Sequence, residues 1–399
     1  MKEISEICIN QSKLNVEKKQ RSNLFSWKGQ FTPEFVAYML GQYAKEWDTI
    51  ADPFSGSGTV AIESLAQNMN CIAYEINPSA YYMTSFFSYC RLSRSERENL
   101  VNNITTWVTP IISNILPSVP VYMKDEDNYR QAFFNLLSLT KSISSQINDQ
   151  FALPFIINVL FLCEKDKKLS LRDSFRNNYK KIRDLLFSLP YSKAEFVPHL
   201  SDARLFGYEN PNSVDLILTS PPYINVFNYH QNYRGIIECF NFDILKIANS
   251  EIGSNRKNRI NRFRTVVEYA IEMGAVLNSS CVCLKNNGKA IFVVGRESMV
   301  RKTPFYNSKI IYELINSIPG LSIQDCMERK FTNRYGEEIY EDILVAEKQS
   351  EILGTSEDFM QIGLTHIQNA IQYADEIVKP DLLSILQNQS SIHSSSIYK

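Results

Sequence analysis

No two cysteines stand in a Cys-x-x-Cys pair and the four histidines lie far apart, so the sequence offers no zinc site and no bound metal is expected. The eight cysteines, at 8, 71, 90, 163, 239, 281, 283 and 326, lack the spacing of a disulfide framework. They read as reduced thiols of a cytoplasmic protein. The first residues, MKEISEICINQSKLNVEKKQ, contain no apolar stretch of the signal-peptide kind. The longest apolar run, Phe151 to Cys163, has 13 residues with a proline inside, too short to cross a bilayer. It reads as a buried helix or strand, and no membrane partner is expected. An excess of one charge is also missing. Lys and Arg number 42 against 43 Asp and Glu, for a net charge of -1, so any nucleic-acid face must be a local patch offset by acid elsewhere. With 14 Gly and 15 Pro, most of the chain should be globular rather than disordered.

What is present is enough apolar residue, 44% of 399, for one large core or a core with a smaller appended domain. Residues 1–24 are polar and expected to be flexible. A compact α/β pattern begins near Leu24. Thr32-Pro33-Glu34 has the form of a helix start, and Val36, Met39, Leu40 and Tyr43 then share a face. A strand over Thr49–Phe54, a glycine-rich turn, a helix from about Thr59 to Gln67 and a strand over Cys71–Glu75 make a β-loop-α-β unit. Residues 91–198 are Ser- and Asn-rich and helical in period, with a basic stretch from Lys165 to Arg183, and read as an insertion. Strands return at Val214–Thr219, Lys289–Val294 and Ile343–Ala346. Residues 350–399 hold one or two amphipathic helices and a Ser-rich tail expected to fray.

Two strings carry chemistry. The first is Asp52-Pro53-Phe54-Ser55-Gly56-Ser57-Gly58-Thr59, where a strand runs into glycines that open a helix. Glycine permits positive φ and close approach of a ligand to the backbone. Glu75 follows at the end of the next strand, 17 positions after Gly58, where an acid can bind the ribose hydroxyls of an adenosine-containing cofactor. A tight βα turn without ligand is the plain alternative. Ala61 replaces the third glycine of the dinucleotide pattern and no Gly-Lys-Ser/Thr follows, which weighs against a pyrophosphate and excludes a P-loop.

The second string is Asn212 to Tyr223, NSVDLILTSPPY: a hydrophobic strand ending in Ser220, Pro221, Pro222 and Tyr223. Two prolines remove backbone donors and fix the chain, leaving rigid carbonyl acceptors. An exocyclic base amine needs such a set, because its lone pair is delocalised into the ring. Acceptors that bind its hydrogens free that pair, and a flat side chain can stack on a base taken out of the helix. An ordinary rigid loop is the alternative for the tetrapeptide alone; its place downstream of an adenosine-type loop favours the catalytic reading.

With both strings together, the chain resembles the S-adenosylmethionine-dependent amino-group DNA methyltransferases, of the N4-cytosine and N6-adenine type. The resemblance covers roughly 25–90 and 199–347. It implies a doubly wound seven-stranded Rossmann-like α/β sheet, with 25–90 and 199–349 as the catalytic domain, 91–198 as a mainly helical insertion and 350–399 as a C-terminal extension. It implies S-adenosylmethionine as cofactor, held by Phe31 and Thr32 of an N-terminal segment, by Asp52, Phe54, Gly56 and Gly58 of the first motif, by Glu75 at the ribose and by Asp202 near the adenine. Ser220, Pro221, Pro222 and Tyr223 would form the base pocket, and Ser-Pro-Pro-Tyr suggests cytosine where Asp-Pro-Pro-Tyr suggests adenine. The cofactor motif precedes the catalytic one, which differs from the order common among N4-cytosine enzymes. EIGSNR, Glu251 to Arg256, resembles a segment often seen after SPPY.

The implied function is a site-specific N4-cytosine DNA methyltransferase, base-flipping, working as a monomer on double-stranded DNA within a restriction–modification system, with a cognate restriction endonuclease as partner. An N6-adenine enzyme and an RNA methyltransferase are the alternatives, and a non-catalytic DNA-binding subunit is a third that would need none of these motifs. A C5-cytosine enzyme attacks through a cysteine, commonly in a Pro-Cys pair, and no Pro-Cys occurs. Phosphate contacts fall to Arg256, Lys257, Arg259 and Arg262, and to the basic stretch of the insertion. The insertion is the candidate target-recognition region, with a purely structural cap as the other reading.

Overall fold

The computed structural model describes residues 9–17, 19–114, 126–144, 151–166, 170–224, 229–254, 260–332 and 336–398. Gln11–Asn15 (α1) and Pro33–Tyr43 (α2) lead into Thr49–Asp52 (β1), Thr59–Ala66 (α3), Asn70–Glu75 (β2) and Pro78–Ser85 (α4). Four helices follow: Arg94–Asn114 (α5), Glu126–Ser144 (α6), Ala152–Lys165 (α7) and Leu171–Ser188 (α8). Then come Phe196–Leu200 (β3), Phe206–Glu209 (α9), Val214–Thr219 (β4), Arg234–Cys239 (α10), Ile244–Ser250 (α11), Arg264–Cys283 (α12) and Leu284–Gly295 (β5). A hairpin of Ser298–Val300 (β6) and Thr303–Phe305 (β7) precedes Asn307–Asn316 (α13), Leu321–Thr332 (β8), Glu338–Lys348 (β9), Ser356–Ala370 (α14) and Lys379–Gln387 (α15).

Seven strands form one sheet in the order β3-β2-β1-β4-β5-β9-β8. β3 through β5 are parallel, and β9 runs antiparallel to both β5 and β8. Strands of such a sheet are covered on both faces and so read as continuous apolar runs. Ile50, Leu216, Leu218, Ile291, Val293, Ile343 and Val345 pack on one face with Phe35, Val36, Met39 and Leu40 of α2. Their neighbours Ala51, Ile217, Ala290, Phe292, Val294, Leu344 and Ala346 pack on the other with α12, α13 and α14. The α/β doubly wound fold implied by the motifs is therefore the one found. The strand order reverses between β1 and β4, and ligands of such sheets lie in the crevice at that reversal, outside the carboxyl ends of the strands. α12 is long and apolar enough to cross a membrane by length and composition, but it is buried in the core along nearly its whole length.

The apolar run of 151–163 is α7, buried almost throughout. With α5, α6 and α8 it shares a core with Leu65 of α3, Cys71 and Ala73 of β2 and Phe196 of β3, so the helical insertion is packed onto the sheet. Arg97 on α5 is 4% exposed and donates to the carbonyls of Tyr89, Leu92, Leu186, Leu189 and Pro190, tying α5 to the end of α8. Two further features depart from expectation. Within 1–24, α1 is a helix whose Leu14 is buried and whose Gln11 Nε2 donates to Glu328 O of β8. The Ser-rich tail does not fray. Arg204 donates to Ser395 O and Ser396 O, and Ser395 N donates to Glu272 Oε1, so a charged, buried partner fixes a segment with no regular structure.

Candidate active site

One cavity of about 1120 Å3, open solvent at its mouth included, lies at the carboxyl ends of β1, β2 and β4. The geometry of β1 decides its floor. Asp52, its last residue, is 3% exposed, and its Oδ1 accepts from Thr219 Oγ1 at 2.7 Å and from Phe54 N at 3.2 Å. Thr219 is the last residue of β4, directly before Ser220. A single buried carboxylate thus joins the glycine loop to the Ser-Pro-Pro-Tyr loop. Burial pushes the Asp52 carboxyl up to about 7, with both hydrogen bonds pulling the other way.

The glycine loop is held open by Glu75. Its Oε2 accepts from Gly56 N and its Oε1 from Asn77 N, each at 2.8 Å. Burial raises this carboxyl to about 8 against those two donors, although part of its surface still reaches the open cavity. Gly56 has φ +53°, lines the cavity, and would bring a Cβ to 3.2 Å from the Trp27 ring. Gly58, at φ +82°, sits behind the loop, where a Cβ would stand 2.6 Å from Phe87. The two glycines expected to line the cofactor site therefore divide the work: one faces the ligand space and the other packs the loop to α4 and the turn after it.

The N-terminal segment closes the near side. Phe31 is buried and lines the cavity, while Thr32 precedes α2 as its cap and does not reach the lining. Trp27 stacks on Tyr229, with ring centroids 5.8 Å apart and planes 16° apart. Gln30 Oε1 accepts from Trp27 N and Ser57 Oγ, tying this segment to the glycine loop. At the far side Asp202 lines the cavity, but its carboxylate is already taken by Arg204, with Nη2 at 2.5 Å and Nε at 2.9 Å, and by Tyr398 N at 3.2 Å. The residue expected near the adenine is thus a paired acid, drawn into the wall by its neighbour two positions on.

Ser220, Pro221, Pro222 and Tyr223 all line the cavity. Tyr269 Oη donates to Pro222 O at 3.0 Å, and Ile224 N donates to Asn307 Oδ1 at 3.2 Å, so the loop is braced on both sides of Tyr223. The Tyr223 ring lies against Gly295 at the end of β5, where a Cβ would come within 2.6 Å of it. Its hydroxyl donates to Glu341 Oε1 at 3.2 Å. Glu341 Oε2 lies 2.7 Å from Arg329 Nε, an ionic contact without hydrogen-bond alignment, and the Arg329 guanidinium stands over the Phe35 ring at 4.1 Å.

The lining holds Asp52, Glu75 and Glu251, with Asp202 already paired to Arg204, against a single lysine, Lys28. Such a wall suits a cationic ligand and opposes a phosphate. That set of acceptors fits S-adenosylmethionine, a sulfonium with a ribose, better than a dinucleotide. Trp27, Tyr229, Gly295 and Glu341 were not foreseen as site residues from the sequence and are brought in by packing; Gln30, beside Phe31, and Glu251, the first residue of EIGSNR, stood in segments the resemblance marked, without a role of their own. Arg256, Lys257 and Arg259 lie outside the described residues. Arg262 is exposed beside the start of α15, where Asn261 Nδ2 donates to Asp381 O, and does not line the cavity.

Residues 3–86 match the N6/N4 methyltransferase family model, described as DNA methylase. That span contains the N-terminal segment, the glycine loop and Glu75, and it agrees with the resemblance carried by DPFSGSGT; TSPPY lies outside it. A type II methyltransferase, M.MjaII of Methanocaldococcus jannaschii, is 35% identical over 60 residues, which are 15% of this chain and 11% of that protein. The chain thus spans about a tenth of the length of the curated relative it matches. Among solved structures, a SAM-dependent methyltransferase of Methanosarcina mazei aligns with 11% identity over 78% of this chain and 96% of its own, at a TM-score of 0.35. An rRNA methylase of Streptococcus thermophilus aligns with 8% identity over 80% and 98%, at 0.30. Scores this low say nothing of substrate.

Proposed function

We propose that this relative of the N6/N4 DNA methylases transfers a methyl group from S-adenosylmethionine to the exocyclic amine of a DNA base, cytosine N4 in preference to adenine N6. The observation that carries the reading is the Asp52–Thr219 hydrogen bond, which puts the glycine loop and Ser220–Tyr223 on one cavity. S-adenosylmethionine, when bound, supplies an electrophilic methyl group. The protein's part is positioning and electrostatics. Gly56 lets the backbone approach, Glu75 takes the ribose, and Phe31 and Phe54 flank the ligand. Asp202 acts on the adenine side through the wall it builds with Arg204.

With Pro222 O engaged by Tyr269, the carbonyls of Ser220 and Pro221 and the Ser220 hydroxyl are the acceptors we assign to the amine hydrogens. They would draw on the amine hydrogens and turn the nitrogen lone pair toward the methyl group that the bound cofactor would supply, the proton displaced from the amine passing to solvent. The Tyr223 ring stacks on the flipped base. Serine at position 220 favours cytosine; the order of the motifs, cofactor loop first, is what keeps adenine as the second reading. The type II relative supports a role as the modification enzyme of a restriction–modification system on double-stranded DNA. Arg256, Lys257, Arg259 and Arg262 are assigned to phosphate contacts and the helical insertion to target recognition.

The test is methyl transfer from deuterium-labelled S-adenosylmethionine to mixed-sequence duplex DNA, read by mass spectrometry of the digested nucleosides. Tyr223→Ala should remove most of the label while the protein keeps its melting temperature within a few degrees. Undiminished label in that variant would overturn the base-pocket assignment.

A further inference from the structure

Glu251 follows α11 and lines the cavity, yet it is only 7% exposed. Its Oε2 is bound to His230 Nδ1 at 2.7 Å, and His230 is itself 1% exposed. Its Oε1 has no hydrogen-bond partner among the described residues. A buried carboxylate oxygen left without a donor costs several kcal/mol in the general case and calls for an explanation, of which a missing ligand is one.

The place of Glu251 narrows the ligand group. Its neighbour Ser250 lies 3.4 Å, oxygen to oxygen, from Ser396, whose carbonyl accepts from Arg204, the partner of Asp202. Glu251 therefore sits between the wall built by Asp202 and the Ser-Pro-Pro-Tyr loop, for Gly253, two residues on, would bring a Cβ to 2.5 Å from Tyr223 O. Glu75 and Tyr229 line the same cavity, and both carboxylates act electrostatically on Tyr229. The part of an adenosine compound that carries two adjacent donors is its ribose. Glu75 spends both oxygens on backbone N–H groups and keeps only its remaining lone pairs for a ligand.

We propose that Glu251 is a second ribose-binding acid, with His230 fixing one oxygen so that the other, Oε1, accepts from a ribose hydroxyl of the bound cofactor. This rests on the cofactor reading above. It assigns the two hydroxyls of the diol to two carboxylates on different elements, one at the end of β2 and one directly after α11.

The experiment is calorimetric titration of the full chain with S-adenosylhomocysteine and with its 2′-deoxy and 3′-deoxy analogues, for the wild type, E251Q and E251A. Neutralising or removing a charged acceptor should weaken S-adenosylhomocysteine roughly 10- to 100-fold. For one of the deoxy analogues the same substitutions should change affinity by less than about twofold, because the donor that Glu251 serves is already gone. A merely structural Glu251 would weaken all three ligands equally, and that result overturns the proposal. So does full affinity in E251Q and E251A. Wild-type protein that binds none of the three ligands overturns the cofactor reading together with this one, which separates the two failures.

Discussion

Tyr223 is set by contacts that no motif announces. Gly295 leaves room for its ring and Glu341 holds its hydroxyl. Gly295→Ala would put a methyl group 2.6 Å from the ring and must displace it. We expect a tenfold or greater fall in methyl transfer, about 1–3 kcal/mol of lost stability, and cofactor affinity unchanged; wild-type rates in this variant would show that the ring's seat does not matter. Asp52 and Glu75 carry a pH dependence of defined sign. Both ionise above the ordinary carboxylate range when folded, near 7 and 8, so the folded chain keeps protons that the unfolded chain has lost. The stability they contribute is fully present below the unfolded carboxylate range and is lost as pH rises through those values. A cationic ligand favours the ionised acids. S-adenosylmethionine should therefore bind more tightly by calorimetry at about pH 7.5 than at about pH 6, while the ligand-free melting temperature falls over the same interval. Tighter binding at the lower pH would contradict the assignment of these acids to the ligand. The motif residues were legible because strand, glycine and proline signals are local. Tyr229 and Glu341 were not, because nothing local marks a single polar side chain that distant packing turns inward, while Gln30 and Glu251 stood in recognised segments whose contacts the sequence does not show.

Among elements, legibility followed burial. β4 was read to the residue, and β1, β2 and α3 to within a residue or two, because buried parallel strands leave unbroken apolar runs. β3 and β8 were missed. Both are edge strands: β3 is short and contains Pro198, tolerated at an edge, and β8 is exposed along most of its length and alternates weakly. β3 also begins inside the range 91–198 given to the insertion, so the sheet reclaims its last residues. The tail is the element whose expected behaviour changed most. Its carbonyls at Ser395 and Ser396 satisfy the buried Arg204, and Tyr398 N reaches Asp202. Removing residues 392–399 should leave that guanidinium short of acceptors, lower stability by about 2–4 kcal/mol in thermal melts, and weaken cofactor binding through the Asp202 wall. An unchanged melt and affinity would mean that the tail only rests there.

For the whole molecule, the strand order carries the site. Reversal between β1 and β4 opens the crevice, and the Asp52–Thr219 bond spans it. The fold class followed from the motif resemblance, but the fusion of the helical insertion to the β2–β3 end of the sheet through a shared core did not, because a sequence shows which faces are apolar and not what they meet. Amino-group methylation of DNA is tested most directly by nucleoside mass spectrometry of DNA from cells expressing the protein, beside a Ser220→Ala, Pro221→Ala double variant. N4-methylcytosine that appears only with the intact protein is the result expected. N6-methyladenine in its place would keep the mechanism and reverse the base preference, and DNA carrying neither modified base would contradict the claim itself.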